Sequence, residues 1–251
     1  IITSSKFDEK TIEKAKKNCS RDLLLCDDSI LVDMEKQRII FDVLKRELRL
    51  DSTQFKVFYQ PIYSIQEDKL VYMEALARLE CPEFGNVSPM EFIAVAERKG
   101  LIEKLGDVVL EKVCKFISEN KNIVNAVSVN FSVYQISSPH IADKISKLIE
   151  KYKILPSNII IEITESVFIE NFAIINKNIE ALTSAGVKFY LDDFGTGYSN
   201  LTNVVTLPFS TVKMDRSLVL MMEKNSRSCR LIKNLVSTFK DSNFSVLVEG
   251  V

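Results

Sequence analysis

The 251 residues carry 46% hydrophobic and 27% charged side chains and a formal net charge of −1, an ordinary balance for a globular chain. That charge excludes a groove for a nucleic-acid polymer built on bulk positive charge, while a small nucleotide held through metals stays open. No apolar run approaches the roughly 20 residues of a membrane span and no signal peptide is visible, so no membrane contact is expected within this segment.

Residues 1–50 read differently from the rest. Residues 10–17 form a short polar helical pattern, 23–26 are strand-like, and 30–50 place Ile39, Ile40, Val43, Leu44 and Leu48 on one helical face. That is too little to bury a core. The expected division is a tail of an upstream regulatory domain with a linker helix over 1–50, and a main domain over 51–251. The start at Ile1 rather than Met agrees with a piece of a longer protein, whose upstream part could be membrane-anchored. The cysteines (Cys19, Cys26, Cys81, Cys114, Cys229) are odd in number and lack any C-x-x-C, which predicts reduced thiols in a cytoplasmic protein. His140, the single histidine, excludes a His-rich metal site and reads as structural at a helix start.

From Phe55 short apolar runs of strand length (55–62, 70–77, 127–131, 159–163, 187–191, 211–214, 244–248) alternate with amphipathic stretches (101–119, 141–152, 172–185, 227–239). Ser88-Pro89-Met90-Glu91 has the form of a capping box with proline at the first helical position. A short polar turn at 66–69 makes the first two strands an antiparallel hairpin. The alternation that follows predicts parallel strands in an α/β barrel or doubly wound sheet.

The acids then fall in a pattern. Glu74 lies in the second strand, Asn130 near the end of the third, Glu162 and Glu165 near the end of the fourth. Asp192 and Asp193 end the fifth, Lys213 and Asp215 the sixth, and Glu249 the seventh. Strands covered on both faces make Glu74 and Glu162 costly unless they are paired or hold a metal. Acids converging on one mouth are what the catalytic face of a barrel requires, and divalent cations are their natural neutraliser. A ligand set of oxygen alone points to Mg²⁺ or Mn²⁺ over zinc. Two such ions commonly serve phosphodiester hydrolysis. The strand over 187–191 runs into Asp192-Asp193 and a turn at Gly195 and Gly197, two of only seven glycines. Each polar residue also has a plainer reading: Asp192-Asp193 as a surface turn, Lys213 as a counter-ion, Arg78 as a structural ion pair, Gln60 as a strand-end residue.

In this order the motifs resemble the EAL family of cyclic di-GMP phosphodiesterases. Glu74-Ala75-Leu76-Ala77-Arg78 resembles its name-giving motif. Gln60-Pro61, Asn130, Glu162-Ile163-Thr164-Glu165, Asp192-Asp193-Phe194-Gly195-Thr196-Gly197, Lys213-Met214-Asp215 and Glu249-Gly250-Val251 follow in family order. The resemblance covers about residues 54–251. It implies a modified TIM (β/α)8 barrel with one antiparallel strand, here ending before its last strand. It also implies hydrolysis of cyclic di-GMP to linear pGpG with Mg²⁺ or Mn²⁺, two ions being expected. By the same resemblance Glu74, Asn130, Glu162 and Asp192 would hold metal, with Asp193 on the second ion. Lys213 would orient or deprotonate the attacking water, Glu249 would support it or the second metal, and Glu74 would share in catalysis. Arg78 would hold a substrate phosphate, Gln60 and Leu76 would touch the nucleotide, and Asp215 would sit beside them. Glu165 would brace the loop after Asp193, which links to homodimerisation through the barrel. A catalytically silent receptor or dimerisation module is the alternative. The resemblance of 1–50 to the end of a GGDEF domain is faint, and no GGDEF signature occurs.

Overall fold

The structure, a computed structural model, describes residues 2–3, 25–26, 28–164, 172–196, 204 and 206–248. The predicted helix over 10–17, Glu165 and Glu249 lie outside the described residues.

Two short strands, β1 (Ile2–Thr3) and β2 (Leu25–Cys26), pair in parallel and precede helix α1 (Asp28–Glu47). The main sheet begins with β3 (Phe55–Ser64), which pairs antiparallel with β4 (Lys69–Cys81). The short β5 (Gly85–Val87) folds back antiparallel on the end of β4. The strands β6 (Val127–Phe131), β7 (Ile159–Thr164), β8 (Lys188–Phe194), β9 (Phe209–Met214) and β10 (Ser245–Val248) then add in parallel, giving the order β3-β4-β6-β7-β8-β9-β10. The expected barrel-type sheet with its first strand reversed is therefore present. Among the described residues β3 and β10 are its two edges.

Helices α2 (Pro89–Arg98) and α3 (Ile102–Glu119) lead into β6, and α4 (Val133–Ile136) and α5 (Ile141–Tyr152) lead into β7. Helix α6 (Phe172–Ser184) precedes β8, while α7 (Arg216–Lys224) and α8 (Ser226–Asp241) precede β10. The reason is written in two periodicities. On α3, Leu105, Val109, Val113 and Ile117 recur at helical spacing and are buried. On the strands every second residue (Val127, Val129 and Phe131; Ile159, Ile161 and Ile163; Phe189 and Leu191; Val212) packs outward into one large core with these helices. The alternate residues point inward, where Tyr72, Ala126, Ile160 and Tyr190 form a second, small core with Ile62 and Leu247. Tyr72 and Tyr190 meet edge to face at 5.5 Å.

The face of α1 foreseen as apolar docks here: Ile40, Val43, Leu44 and Leu48 join the same core as Leu79 and Phe92. Its end is fixed by buried Glu47, whose carboxylate accepts from Arg46 Nε and Ser52 Oγ, both at 2.8 Å. Ser52 Oγ in turn accepts from the amide of Phe55 at 2.8 Å, so one hydroxyl joins the helix end to the first residue of β3. Ser52→Ala strips both bonds and leaves a buried carboxylate oxygen short of a donor. It is expected to cost about 1–3 kcal/mol in a urea titration.

The structure departs from expectation at three places. Ser88 is the N-cap of α2 but makes no side-chain capping bond. Glu91 turns instead to Lys36 on α1, trading a local cap for an ion pair that ties two helices. The helix α7 has no signal in the sequence pattern, because its nine residues follow directly on a strand end; its N-cap is Asp215. The strand β5 and helix α4, of three and four residues, are too short to show a period.

Cys81, Cys114 and Cys229 are free thiols, the first two buried. Burial pushes the Cys114 thiol up to about 12. Iodoacetamide at pH 8 is therefore expected to alkylate half-buried Cys229 and spare Cys114 until the protein is unfolded, as peptide mass spectrometry would report.

Candidate active site

The inward positions one step above the small core carry the polar residues. On β4, β6, β7, β8 and β9 these are Glu74, Asn130, Glu162, Asp192 and Lys213, each two residues beyond Tyr72, Ser128, Ile160, Tyr190 and Thr211. Register explains why they meet. Asn130 stands level with Glu162, but Glu74 is level with Ser128 and Asp192 with Thr164. The stagger between neighbouring strands that curls the sheet tilts this row of side chains around the barrel mouth.

Lys213 is the hub. Its Nζ lies 2.7 Å from Glu162 Oε2, 3.1 Å from Asp192 Oδ1 and 3.8 Å from Glu74 Oε2, contacting acids from three strands. It is 1% exposed and Glu162 is wholly buried, while Asp192 keeps 8%. Asn130 Nδ2 donates to Glu74 Oε1 at 3.0 Å and closes the ring at its exposed side. Burial, helped by Glu74 and Asp192 and opposed by Lys213, raises the Glu162 carboxyl to about 7. Burial alone would pull the Lys213 ammonium down, but Glu162, Asp192 and Glu74 outweigh it and hold its pKa above the usual lysine range. A lysine so placed is an ammonium, an orienting charge for whatever enters.

The oxygen-only donors suit a hard divalent cation, and Glu162 Oε1 is buried with no hydrogen-bond partner while Oε2 accepts from Lys213. Among the described residues no group of three or more acidic, histidine or cysteine side chains stands ready-made around an ion. The space between the carboxylates carries the Lys213 ammonium. The donor chemistry fits Mg²⁺ or Mn²⁺ once that ammonium yields part of its contacts.

Asp193, at φ +55°, turns out of β8, and its amide donates to Asp192 Oδ1 at 3.0 Å. Its carbonyl accepts from both the amide and hydroxyl of Thr196. Gly195, at φ +102°, completes this turn against Leu218 of α7. Asp215 is the N-cap of α7, with Oδ1 accepting from the Ser217 amide at 2.8 Å, and hydrogen bonds from Ser217 hold its carboxyl below the usual range. Gln60 stands opposite Glu74 on β3, and Leu76 opposite Phe58. Arg78 lies one step further out, its guanidinium 5.9 Å from the centre of the Phe58 ring. It opens onto a cleft of about 430 Å³ bordered by Lys56, Glu80, Asn86 and Ser88.

Sequence reasoning missed the layer beneath. The Tyr72 hydroxyl and Ser128 Oγ are buried without a hydrogen-bond partner under the carboxylates. The signal available for them was position, two residues before a site residue on the same strand.

A family model described as the EAL domain matches residues 43–251. This chain belongs to the EAL domain family. The EAL chain is 34% identical over 222 residues to the oxygen sensor protein DosP of Escherichia coli, covering 87% of this chain and 28% of that protein. It is 32% identical over 204 residues to the cyclic di-GMP phosphodiesterase RocR of Pseudomonas aeruginosa, covering 80% and 52%. It thus spans between about a quarter and a half of these two relatives. Among solved structures, the PaMucR phosphodiesterase in complex with c-di-GMP superposes with a TM-score of 0.75 at 28% identity, over 84% of the EAL chain and 86% of that one.

Proposed function

We propose that this EAL domain hydrolyses cyclic di-GMP to linear pGpG with Mg²⁺ or Mn²⁺. One observation carries the reading: three carboxylates from three strands converge on one buried lysine at the strands' C-terminal ends, with Asn130 of the strand between two of them bonded to Glu74, in a chain of this family. Divalent cations, two in the fullest form of the proposal, supply charge to neutralise the phosphate and to make water more acidic. Glu74, Asn130, Glu162 and Asp192 would hold them, with Asp193 serving the second.

The chain's own groups do the rest. Lys213, kept as an ammonium by its acids, orients the attacking water and stabilises charge on the phosphate. Its service as a base requires those acids to be neutralised first. Arg78, whose planar fork suits a phosphate, and Gln60 and Leu76 hold the dinucleotide along the inner lip of β3 and β4. Glu249 would support the attack or the second ion, and Glu165 would brace the loop that follows Asp193. Asp215 acts through α7, whose first turn packs on Gly195. The proposal extends to a cytoplasmic location, a homodimer through the barrel and an upstream regulatory domain in the full-length protein, of which 1–50 would be the tail and linker helix. Among the described residues no helix is long and apolar enough to cross a membrane.

The test is product separation after incubation with cyclic di-GMP in Mg²⁺, in Mn²⁺ and in chelator. Metal-dependent pGpG is expected. Binding of the dinucleotide without product would sink the phosphodiesterase and leave a receptor. Arg78→Ala should raise KM at least about ten-fold, since one charged hydrogen bond to substrate is lost.

A further inference from the structure

We propose that Lys213 is the resident counter-cation of this site: in the metal-free protein its ammonium fills the space between Glu74, Glu162 and Asp192, and divalent cations bind by taking these carboxylates over from it. The inference rests on the proposed use of these acids for metal.

Three features carry it. The ammonium lies 2.7, 3.1 and 3.8 Å from carboxylates of three different strands, so it bonds across the mouth as a shared cation does. It is 1% exposed, so water supplies little of the screening that three converging acids need. Glu162 keeps Oε1 without a hydrogen-bond partner while Oε2 holds the lysine, leaving one oxygen of the most deeply buried acid for an incoming ion.

Lysine suits this task where arginine would not. Its charge is compact, its three donors are arranged around one atom, and its flexible stem lets that atom withdraw. A planar guanidinium would lock two of the acids in a fixed fork. Without any cation the three acids would repel one another across the sheet or have to take up protons, so the ammonium steadies the barrel mouth before metal arrives.

The experiment compares melting of the wild type, Lys213→Met, and Lys213→Met combined with Asp192→Asn, each in chelator and in Mg²⁺ or Mn²⁺. Mn²⁺ binding is followed calorimetrically. The wild type should keep its fold in chelator. Lys213→Met should melt roughly 10 °C lower in chelator, as expected for orphaned buried charge, and regain most of that loss with metal. The double variant, with one acid fewer, should recover part of the loss without metal. Lys213→Met should also bind Mn²⁺ at least as tightly as wild type, having no cation to displace.

An equal loss with and without metal would overturn the proposal and leave an ordinary structural lysine. So would Mn²⁺ binding weakened ten-fold or more, or a double variant no better than the single one. If Lys213→Met folds under neither condition, the double variant decides: folding in chelator supports the proposal and failure overturns it. Absence of hydrolysis by wild type with this melting pattern intact would sink the phosphodiesterase reading alone.

Discussion

Glu162→Gln is expected to lower cyclic di-GMP hydrolysis by at least about a thousand-fold while leaving the metal-free protein as stable as wild type, or more so. The two effects part because the same carboxylate is needed as an anion in the site and resisted as an anion by the fold. It is wholly buried, with a folded pKa of about 7 against an ordinary 4.5, burial being the main cause. A raised carboxyl contributes stability that is fully present below about pH 4.5 and lost as pH rises to about 7. The shift corresponds to about 3 kcal/mol between these limits. Gln resembles the protonated acid: it can still accept from Lys213 at the position of Oε2, and it does not titrate. In chelator the variant's advantage should therefore be absent near pH 4, grow through pH 7 and level off above. Urea melts at several pH values, beside product separation, check both halves. A variant that loses stability at pH 8 without metal would contradict this reading of the buried acid.

Gly195→Ala is expected to melt several degrees lower and to lose most activity, and Leu218→Ala to restore only part of either. At φ +102° a side chain is strained whatever the space around it, which costs about 1–3 kcal/mol. An added Cβ would also lie 2.5, 2.7 and 3.0 Å from the branched end of Leu218 on α7. That leucine packs against the large core and cannot simply swing away. The functional loss follows from the turn's bonds. Thr196 donates to the Asp193 carbonyl and the Asp193 amide donates to Asp192, so distorting residue 195 turns the two aspartates together. Trimming Leu218 removes the clash and keeps the dihedral strain. Full rescue by Leu218→Ala would show that the strain is immaterial, and no rescue would show that the clash is.

Much of this is legible in the sequence itself, for a definite reason. Alternation along a strand is a property of adjacent residues, so Ile-Ile-Ile-Glu-Ile-Thr announces by itself that Glu162 faces opposite to Ile161 and Ile163, and that its burial must be compensated. The spacing of short apolar runs and amphipathic stretches likewise specifies a βα succession, and the apolar face of 39–48 shows that this helix has a partner to meet. The order of the motifs along the chain marked the family.

What tertiary structure alone decided are the partnerships. That Glu74 stands level with Ser128 while Asn130 stands level with Glu162 depends on strand register, which no single strand encodes. That Lys213 sits among three acids depends on the curl those staggers produce. Asp215 serves a helix cap and Glu91 an interhelical ion pair because neighbours distant in sequence, or a helix too short to show a period, came within reach. Local pattern determines which face a residue presents; only the packed sheet determines what that face meets.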